Sequence, residues 1–216
     1  MYVPQLYEAG SPEWLRMIVS DYPLAILTTN GETVPYATHL PIICPSADTG
    51  TLVGSTLLGH LNKANPHWRS LVLGTRGVLI FTGPNGYVSP EIYQSTPAAP
   101  TWDYVSVHLT GRIHALTGRE DALEVVKRTV RDYEPRFGTG WDMDGSLGYF
   151  QQLSPAVGAF RFEVESAEGM FKLSQEKESP VRQRIVDSFL NSESGIARDL
   201  GKIMDRLVIL EEQNAG

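Results

Sequence analysis

The sequence predicts a mainly β protein with helices (α+β), built as an antiparallel barrel. At least five segments have the apolar and β-branched composition of strands, and turn residues separate them. Helical patterns occur at both ends and late in the chain, without the regular strand–helix alternation of a parallel sheet. The absence of G-x-G-x-x-G and G-x-x-x-x-G-K-[ST] motifs weighs against the common nucleotide-binding folds.

The first predicted elements are a helix and a hairpin. Ser11 and Pro12 are typical of an N-cap and a first helical position, and the helix is expected to reach about Asp21. Its expected buried side chains are Leu15, Ile18 and Val19. Residues 24–30 and 34–43 are rich in strand formers and are joined by turn residues, which indicates a β-hairpin.

Four further strands are predicted, at residues 51–56, 77–83, 104–116 and 157–165. The strand at 104–116 has two distinct faces because successive side chains of a strand point in opposite directions. Its apolar face consists of Val105, Val107, Leu109, Ile113 and Ala115. The other face is polar and aromatic, which favours an interface or a ligand wall.

Three helical segments complete the pattern. Thr117 and Glu120 have the spacing of a capping box before a helix over 121–134, and residues 146–155 predict a shorter helix. The tail from Ser179 onward is predicted to be helical, with an apolar seam that favours packing on the barrel over a free coiled coil. The seam residues are Ile196, Leu200, Ile203, Leu207 and Leu210. We therefore expect one domain over 1–216, with the barrel and its inserted helices in 1–178 and packed helices in 179–216.

Composition limits the classes of function. The net charge of −7 weighs against a main role in nucleic-acid binding, which depends on clustered Lys and Arg. Cys44 is the only cysteine, so an intramolecular disulfide is excluded and a cytoplasmic location is expected. Neither a signal peptide nor an apolar run of about 18 residues is present, so no association with a membrane is expected.

The densest set of chemically active residues lies in segment 59–69, GHLNKANPHWR, between a predicted strand and a predicted helix that runs toward Leu73. A helix start offers unpaired N–H groups to an anion, and Lys63 and Arg69 add positive charge. His60 and His67 are seven positions apart, which on a helix places them two turns apart on one side. Either imidazole is a candidate ligand for a metal or haem iron, and purely structural roles for both are about equally plausible.

A second candidate group is aromatic. Residues 87–104 contain three tyrosines and Trp102 around a proline-rich loop, a composition suited to stacking on a flat ring. The alternative is an aromatic plug over one end of the barrel. Asp103 lies between two aromatic residues and is a candidate to orient an amine or a histidine, or simply to cap a turn.

Six segments occur in an order that resembles the PaiB-like proteins, a family of FMN-binding negative transcriptional regulators. They are 1–8 (MYVPQLYE), 38–41 (THLP), 59–68 (GHLNKANPHW), 87–90 (YVSP), 100–111 (PTWDYVSVHLTG) and 172–175 (KLSQ). The resemblance covers nearly the whole chain. It implies a split barrel of the pyridoxamine-phosphate-oxidase type, with a helical C-terminal tail, that forms a homodimer and holds its cofactor near the subunit boundary.

The same family includes haem-dependent piperazate synthases, which close L-N5-hydroxyornithine into a cyclic hydrazine by forming an N–N bond. This chain departs from the commoner family pattern on the expected cofactor wall: the loop at 95–104 is short, and it carries Asp103 where Asn is usual. Lys63 and Ile92 likewise stand where Arg and Trp are usual. These departures favour a member that acts on a small polar amine, which a carboxylate can bind.

The resemblance therefore implies an enzyme with haem b and a small amino-acid substrate. Its expected axial ligand is His60, with His67 as the second choice. The other expected cofactor contacts are Lys63, Asn65, Arg69, Trp102 and Tyr104, and the expected catalytic residues are Tyr93, Asp103 and His108. The alternatives are an FMN-binding regulator or flavin-dependent redox protein, and a haem-degrading or haem-storing barrel.

Overall fold

A computed structural model describes residues 1–44, 50–71 and 75–214 of the chain. The strands are β1 (Leu24–Thr29), β2 (Tyr36–Ile43), β3 (Thr56–Asn62), β4 (Thr75–Val88), β5 (Thr101–Leu116) and β6 (Val157–Lys172). The helices are α1 (Pro12–Asp21), α2 (Pro66–Ser70), α3 (Arg119–Phe137), α4 (Leu147–Leu153), α5 (Ser179–Leu190) and α6 (Gly195–Asn214). This content confirms the predicted α+β class, with an antiparallel barrel and attached helices.

The strands form a closed antiparallel barrel in the order β1-β2-β3-β6-β5-β4. The predicted hairpin is confirmed: β1 pairs with β2 from Leu24 opposite Pro41 to Thr29 opposite Tyr36. β3 pairs with β6 along its whole length, and His60 lies opposite Ala159. β1 also pairs with β4, from Ile26 opposite Ile80 to Thr28 opposite Val78, so the first hairpin has a paired strand on the β1 side.

The chain divides into two compact units. One comprises Met1–Gly10, Thr82–Val107 and the chain from Glu168 onward, and the other comprises Ser11–Phe81 and His108–Ala167. In the second unit, alternate side chains of the strands form an apolar core, and α3 adds a smaller cluster against β3. Fully buried members of this core include Ile18, Leu27, Leu57, Leu79, Leu109, Phe160 and Phe162.

The predicted strand at 51–56 is wrong in position. Residues 52–55 form a hydrogen-bonded turn, in which Ser55 N–H and Oγ both donate to the carbonyl oxygen of Leu52 at 3.1 and 2.6 Å. Gly54 has φ +83°, a left-handed conformation that glycine adopts without steric cost. The strand therefore starts later, at Thr56, and it contains His60, which was expected on a helix.

Two details of the predicted helices also differ. α1 buries Trp14 together with Ile18 and Val19, whereas Leu15 is only half-buried. The N-cap of α3 is Gly118 instead of Thr117, because the Asp121 carboxylate accepts a hydrogen bond from Gly118 N–H at 3.0 Å. Asp121, at the third helical position, therefore makes the capping-box hydrogen bond that was expected from Glu120.

The helical tail is confirmed as two helices that pack against each other, α5 and α6. Leu200 and Ile203 of the predicted seam are buried, but Ile196 in the first turn of α6 is 58% exposed. The Leu210 side chain, and the predicted extension of α2 to Leu73, lie outside the described residues. The assignment of 1–216 to one domain stays a prediction.

Within the described part of the chain, none of the helices combines the length and apolar character needed to cross a bilayer.

The close contact between α2 and β6 provides a test of the packing. A Cβ atom on Gly158 would lie 2.5 Å from the indole of Trp68, so we expect Gly158→Ala to destabilise the protein by about 1–3 kcal/mol. Gly148 on α4 is the matched control because a Cβ there meets no atom within 4 Å. The measurement is the free energy of unfolding by chemical denaturation, and equal losses for the two variants would contradict this packing.

Candidate functional site

The predicted cofactor segment 59–68 consists of a strand end, a tight turn and a short helix. The turn is closed by the Asn62 side chain, which accepts from Ala64 N–H at 2.8 Å, and by the Asn62 carbonyl, which accepts from Asn65 N–H at 2.9 Å. The Asn65 side chain then caps α2 by accepting from His67 N–H at 3.0 Å. This cap already uses an N–H group that the sequence had suggested for an anion.

His67 is fixed by structural hydrogen bonds. Its Nε2 lies 2.9 Å from Thr29 Oγ1 and its Nδ1 lies 2.8 Å from Thr38 Oγ1. Tyr36 stacks on the ring at 5.1 Å, and burial lowers the pKa of the imidazole. Ligation of iron by His67 would require one of these bonds to break, so its role is to join α2 to β1 and β2.

His60 has a different environment. It lines a cavity of about 480 Å³, and its Nδ1 is buried without a hydrogen-bond partner among the described residues. Burial lowers the pKa of His60, so the imidazole is neutral at pH 7 and has an unprotonated nitrogen. The same cavity is lined by Thr38, His39, Leu40, Asn62, Asn65 and Val157. The structure thus separates two histidines that the sequence treated as alternatives.

The expected cations lie near the surface of this segment. Lys63 donates from its backbone N–H to Ala156 O at 2.9 Å and from Nζ to Pro155 O at 3.1 Å. Its side chain and that of Arg69 are exposed. A carbonyl uses only one of the three Nζ donors, so Lys63 retains donors for an anionic group.

Asp103, in the unit that does not contain His60, has a buried carboxyl group. It is fully buried on β5, and its Oδ2 accepts a hydrogen bond of 2.5 Å from the hydroxyl of Ser174. Its Oδ1 is buried with no hydrogen-bond partner among the described residues. Burial raises the pKa of Asp103 to about 6, so the group exchanges a proton near neutral pH.

Tyr93 belongs to the same unit as Asp103, and it also has a buried polar atom without a hydrogen-bond partner among the described residues. Its hydroxyl is buried and, within 1–44, 50–71 and 75–214, has no hydrogen-bond partner. Burial raises the pKa of Tyr93, and the charge of Asp103 raises it further. Arg184 fixes the backbone by donating to the carbonyls of Ile92 and Tyr93 at 2.9 and 2.8 Å. Lys177 Nζ lies 4.6 Å from the centre of the Tyr93 ring.

The remaining predicted residues lie along β5. Trp102 is 53% exposed, donates from Nε1 to Asn85 at 3.1 Å and contacts Tyr87 edge to face at 6.1 Å. Tyr104 and His108 are half-buried. Tyr93, Trp102, Asp103 and Tyr104 belong to one compact unit, whereas His60, Lys63, Asn65, His67, Arg69 and His108 belong to the other.

The partners of Asp103 are not among the site residues predicted from the sequence. Ser174 contacts it directly, and Glu176 accepts a hydrogen bond from Tyr7 at 3.2 Å and raises the pKa of Asp103. Ser174 is 71 positions from Asp103, so no local spacing pairs them. The sequence feature that could have indicated Ser174 is the segment 172–175, which belongs to the family pattern.

Comparison with known proteins defines the class first. The fold is similar to that of the "FAD and Heme binding protein" from Mycobacterium smegmatis, with a TM-score of 0.56, 15% identity, and coverage of 82% of this chain and 78% of that one. It is also similar to the flavocytochrome Anf3 from Azotobacter vinelandii, with a TM-score of 0.57, 16% identity, and coverage of 79% and 72%. The fold is a split barrel of the pyridoxamine-phosphate-oxidase type, as predicted.

The sequence identifies the family within this class. Residues 1–166 match the family described as "Putative FMN-binding domain". The chain is 26% identical over 207 residues to "Protease synthase and sporulation protein PAI 2" of Bacillus subtilis, covering 95% of this chain and 97% of that protein. The chain therefore belongs to the PaiB-like, FMN-binding family.

The buried carboxyl of Asp103 predicts a specific dependence of stability on pH. Its pKa of about 6 in the folded state exceeds the unfolded value of about 3.9, so the folded protein binds more protons between these values. Stability is then greatest below about pH 4 for this group and is lost as the pH rises through 6. Relative to Asp103→Asn, the wild-type free energy of unfolding should fall by about 2 kcal/mol between pH 4 and 7.

The measurement is urea denaturation across this pH range, with Asp199→Asn on the surface of α6 as the control. The control should follow the wild-type curve. Parallel curves for the wild type and Asp103→Asn would show that the carboxyl titrates at its ordinary pKa.

Proposed function

We propose that this chain is a haem-dependent enzyme of the piperazate synthase type, which cyclises L-N5-hydroxyornithine to L-piperazate. The observation that carries the proposal is a pair of buried polar atoms, Asp103 Oδ1 and the Tyr93 hydroxyl, that have no hydrogen-bond partner among the described residues. Buried polar groups are normally hydrogen-bonded, so an unpaired acceptor and an unpaired hydroxyl in one unit are what a polar ligand would satisfy. A substrate with two amine-type nitrogens has the matching donors.

The reaction needs acid–base chemistry that these residues can supply. The N–N bond forms as the N–O bond of the hydroxylamine breaks, the α-amine loses its proton, and the departing oxygen takes up a proton to leave as water. No external oxidant or reductant is required. A carboxyl with a pKa of about 6 is mostly ionised at pH 7, so Asp103 can bind the ammonium form and then take its proton. Tyr93, as a neutral phenol, is the proposed donor to the oxygen.

The residues of the other unit fit a haem group. His60 offers a neutral imidazole with an unpaired buried nitrogen beside a cavity, and His67 is held by structural hydrogen bonds. His60 would hold the haem iron, and Lys63 and Arg69 would pair with the propionates. When bound, haem iron supplies a Lewis acid for the hydroxylamine group. The names of the similar Mycobacterium smegmatis and Azotobacter vinelandii proteins support haem binding by this fold.

The other residues have supporting roles in this proposal. Asn65 orders the turn next to His60. Trp102 and Tyr104, in the unit that contains Asp103, provide aromatic surface for a flat ligand. His108, half-buried on β5, is proposed as a further proton carrier. The active form is proposed to be a homodimer with the cofactor near the subunit boundary.

Two substitutions test the proposal separately. After haem reconstitution and removal of unbound haem, His60→Ala should lose the Soret band of protein-bound haem because the residue that would hold the iron is gone, whereas His114→Ala, which is not in the lining of this cavity, should retain it. Asp103→Asn should keep the Soret band and lose about 10²-fold or more in cyclisation, measured as piperazate by mass spectrometry. A wild-type protein that binds haem but forms no piperazate from N5-hydroxyornithine would refute the enzyme assignment.

A second candidate is an FMN-binding regulator or a flavin-dependent redox protein. The family match over residues 1–166 favours it, and Lys63 suits a flavin phosphate as well as a propionate. Purification of a yellow protein that releases FMN on denaturation would support this candidate. Salt-sensitive binding to a specific operator would support the regulator form of it.

A further inference from the structure

We propose that Ser174 is a positioning residue, which holds Oδ2 of Asp103 so that Oδ1 is the oxygen presented to the substrate's amine. This inference deepens the proposed function and rests on it for the identity of the substrate. Ser174 and Asp103 are both fully buried, and the 2.5 Å hydrogen bond between them joins residues 71 positions apart. Because Oδ2 is bonded to Ser174, Oδ1 is the carboxyl oxygen that has no hydrogen-bond partner among the described residues.

The backbone at Ser174 indicates why a serine is present. Its φ is +57°, in the left-handed region that glycine adopts without cost and that other residues adopt only against a steric penalty. A glycine would fit this turn better but would lack the hydroxyl. The hydrogen bond to Asp103 is the interaction that offsets the conformational cost.

The turn that carries Ser174 is braced from within. The Gln175 side chain accepts from Leu173 N–H at 2.7 Å and donates to Phe171 O at 2.5 Å. Lys177 N–H donates to Ser174 O at 3.0 Å and closes the turn. These bonds fix the backbone on both sides of Ser174 and so fix the position of its hydroxyl. The hydroxyl in turn restricts the orientation of the Asp103 carboxyl.

The same turn also holds the strand next to Asp103. Lys172 Nζ donates to Thr101 Oγ1 and to the carbonyl of Trp102, the latter at 3.2 Å. Residues 101–103 are thus held through the lysine and the serine of one segment. This arrangement gives a physical role to the 172–175 segment.

Ser174 is the first of the neighbours that favour the ionised form of Asp103. Burial raises the pKa of Asp103 most strongly, and the Ser174 hydrogen bond is the first of the effects that lower it. Lys172 and Lys177 also favour the carboxylate, and Glu176 opposes it. The phenols that feel the Asp103 charge are Tyr7 and Tyr93.

The test compares Ser174→Gly with Ser174→Ala. Both variants remove the hydroxyl, but glycine relieves the left-handed conformation and alanine does not. The readout is the titration of the Asp103 carboxyl by ¹³C NMR in the protein without haem, assigned with Asp103→Asn. We expect the midpoint to rise by about one pH unit in both variants, a tenfold fall in the ionisation constant.

The control is Ser55→Ala, which removes a buried hydroxyl that donates to Leu52 O at 2.6 Å and should leave the Asp103 titration unchanged. In the haem-loaded enzyme, the acid limb of the kcat–pH profile should rise by the same amount as the NMR midpoint. A folded Ser174→Gly variant with an unchanged midpoint would overturn the inference. If the midpoint rises but the wild type makes no piperazate, the positioning role of Ser174 on Asp103 stands and the substrate assignment fails.

Discussion

The buried carboxyl of Asp103 requires compensating hydrogen bonds and positive charges from the surrounding structure. An ionised carboxylate without water is unfavourable by several kcal/mol unless hydrogen bonds and positive charges replace the solvent. The chain supplies a short bond from Ser174 and two nearby lysines, and it leaves one oxygen open. This incomplete compensation keeps the pKa near neutrality, which is the range in which a carboxyl exchanges protons during a reaction.

The two histidines of segment 59–68 show how neighbours decide chemistry. His67 has a threonine hydroxyl at each ring nitrogen and a tyrosine stacked on its face, so it stabilises the junction of α2 with two strands. His60 lies on β3 with an unpaired nitrogen beside a cavity. Strand pairing fixes this difference, because β1 and β2 bring Thr29 and Thr38 to His67.

Flavin and haem make similar demands on a protein: both are flat and anionic, and both are bound by basic and aromatic side chains. A protein of an FMN-binding family could therefore bind haem if residues at its cofactor site differ from the usual family pattern. The discriminating feature is an imidazole free to ligate iron, since flavin has no need of one. In the proposed enzyme, Asp103 would select the substrate, because a buried carboxylate with an oxygen unpaired among the described residues suits an amine.

The sequence alone determined the mainly β class, the β1–β2 hairpin, the long β5 strand and the helical tail, because alternation and turn residues are local signals. It also brought His60 and Asp103 forward as candidates. Only the tertiary structure decided that His60 lies on a strand, that His67 is held by two threonines, and that Ser174 bonds Asp103. The hydrogen bonds of His67 and Asp103 join residues 29 to 71 positions apart, and the strand that contains His60 pairs with the more distant β6. Burial and pKa are products of such contacts, and no local pattern encodes them.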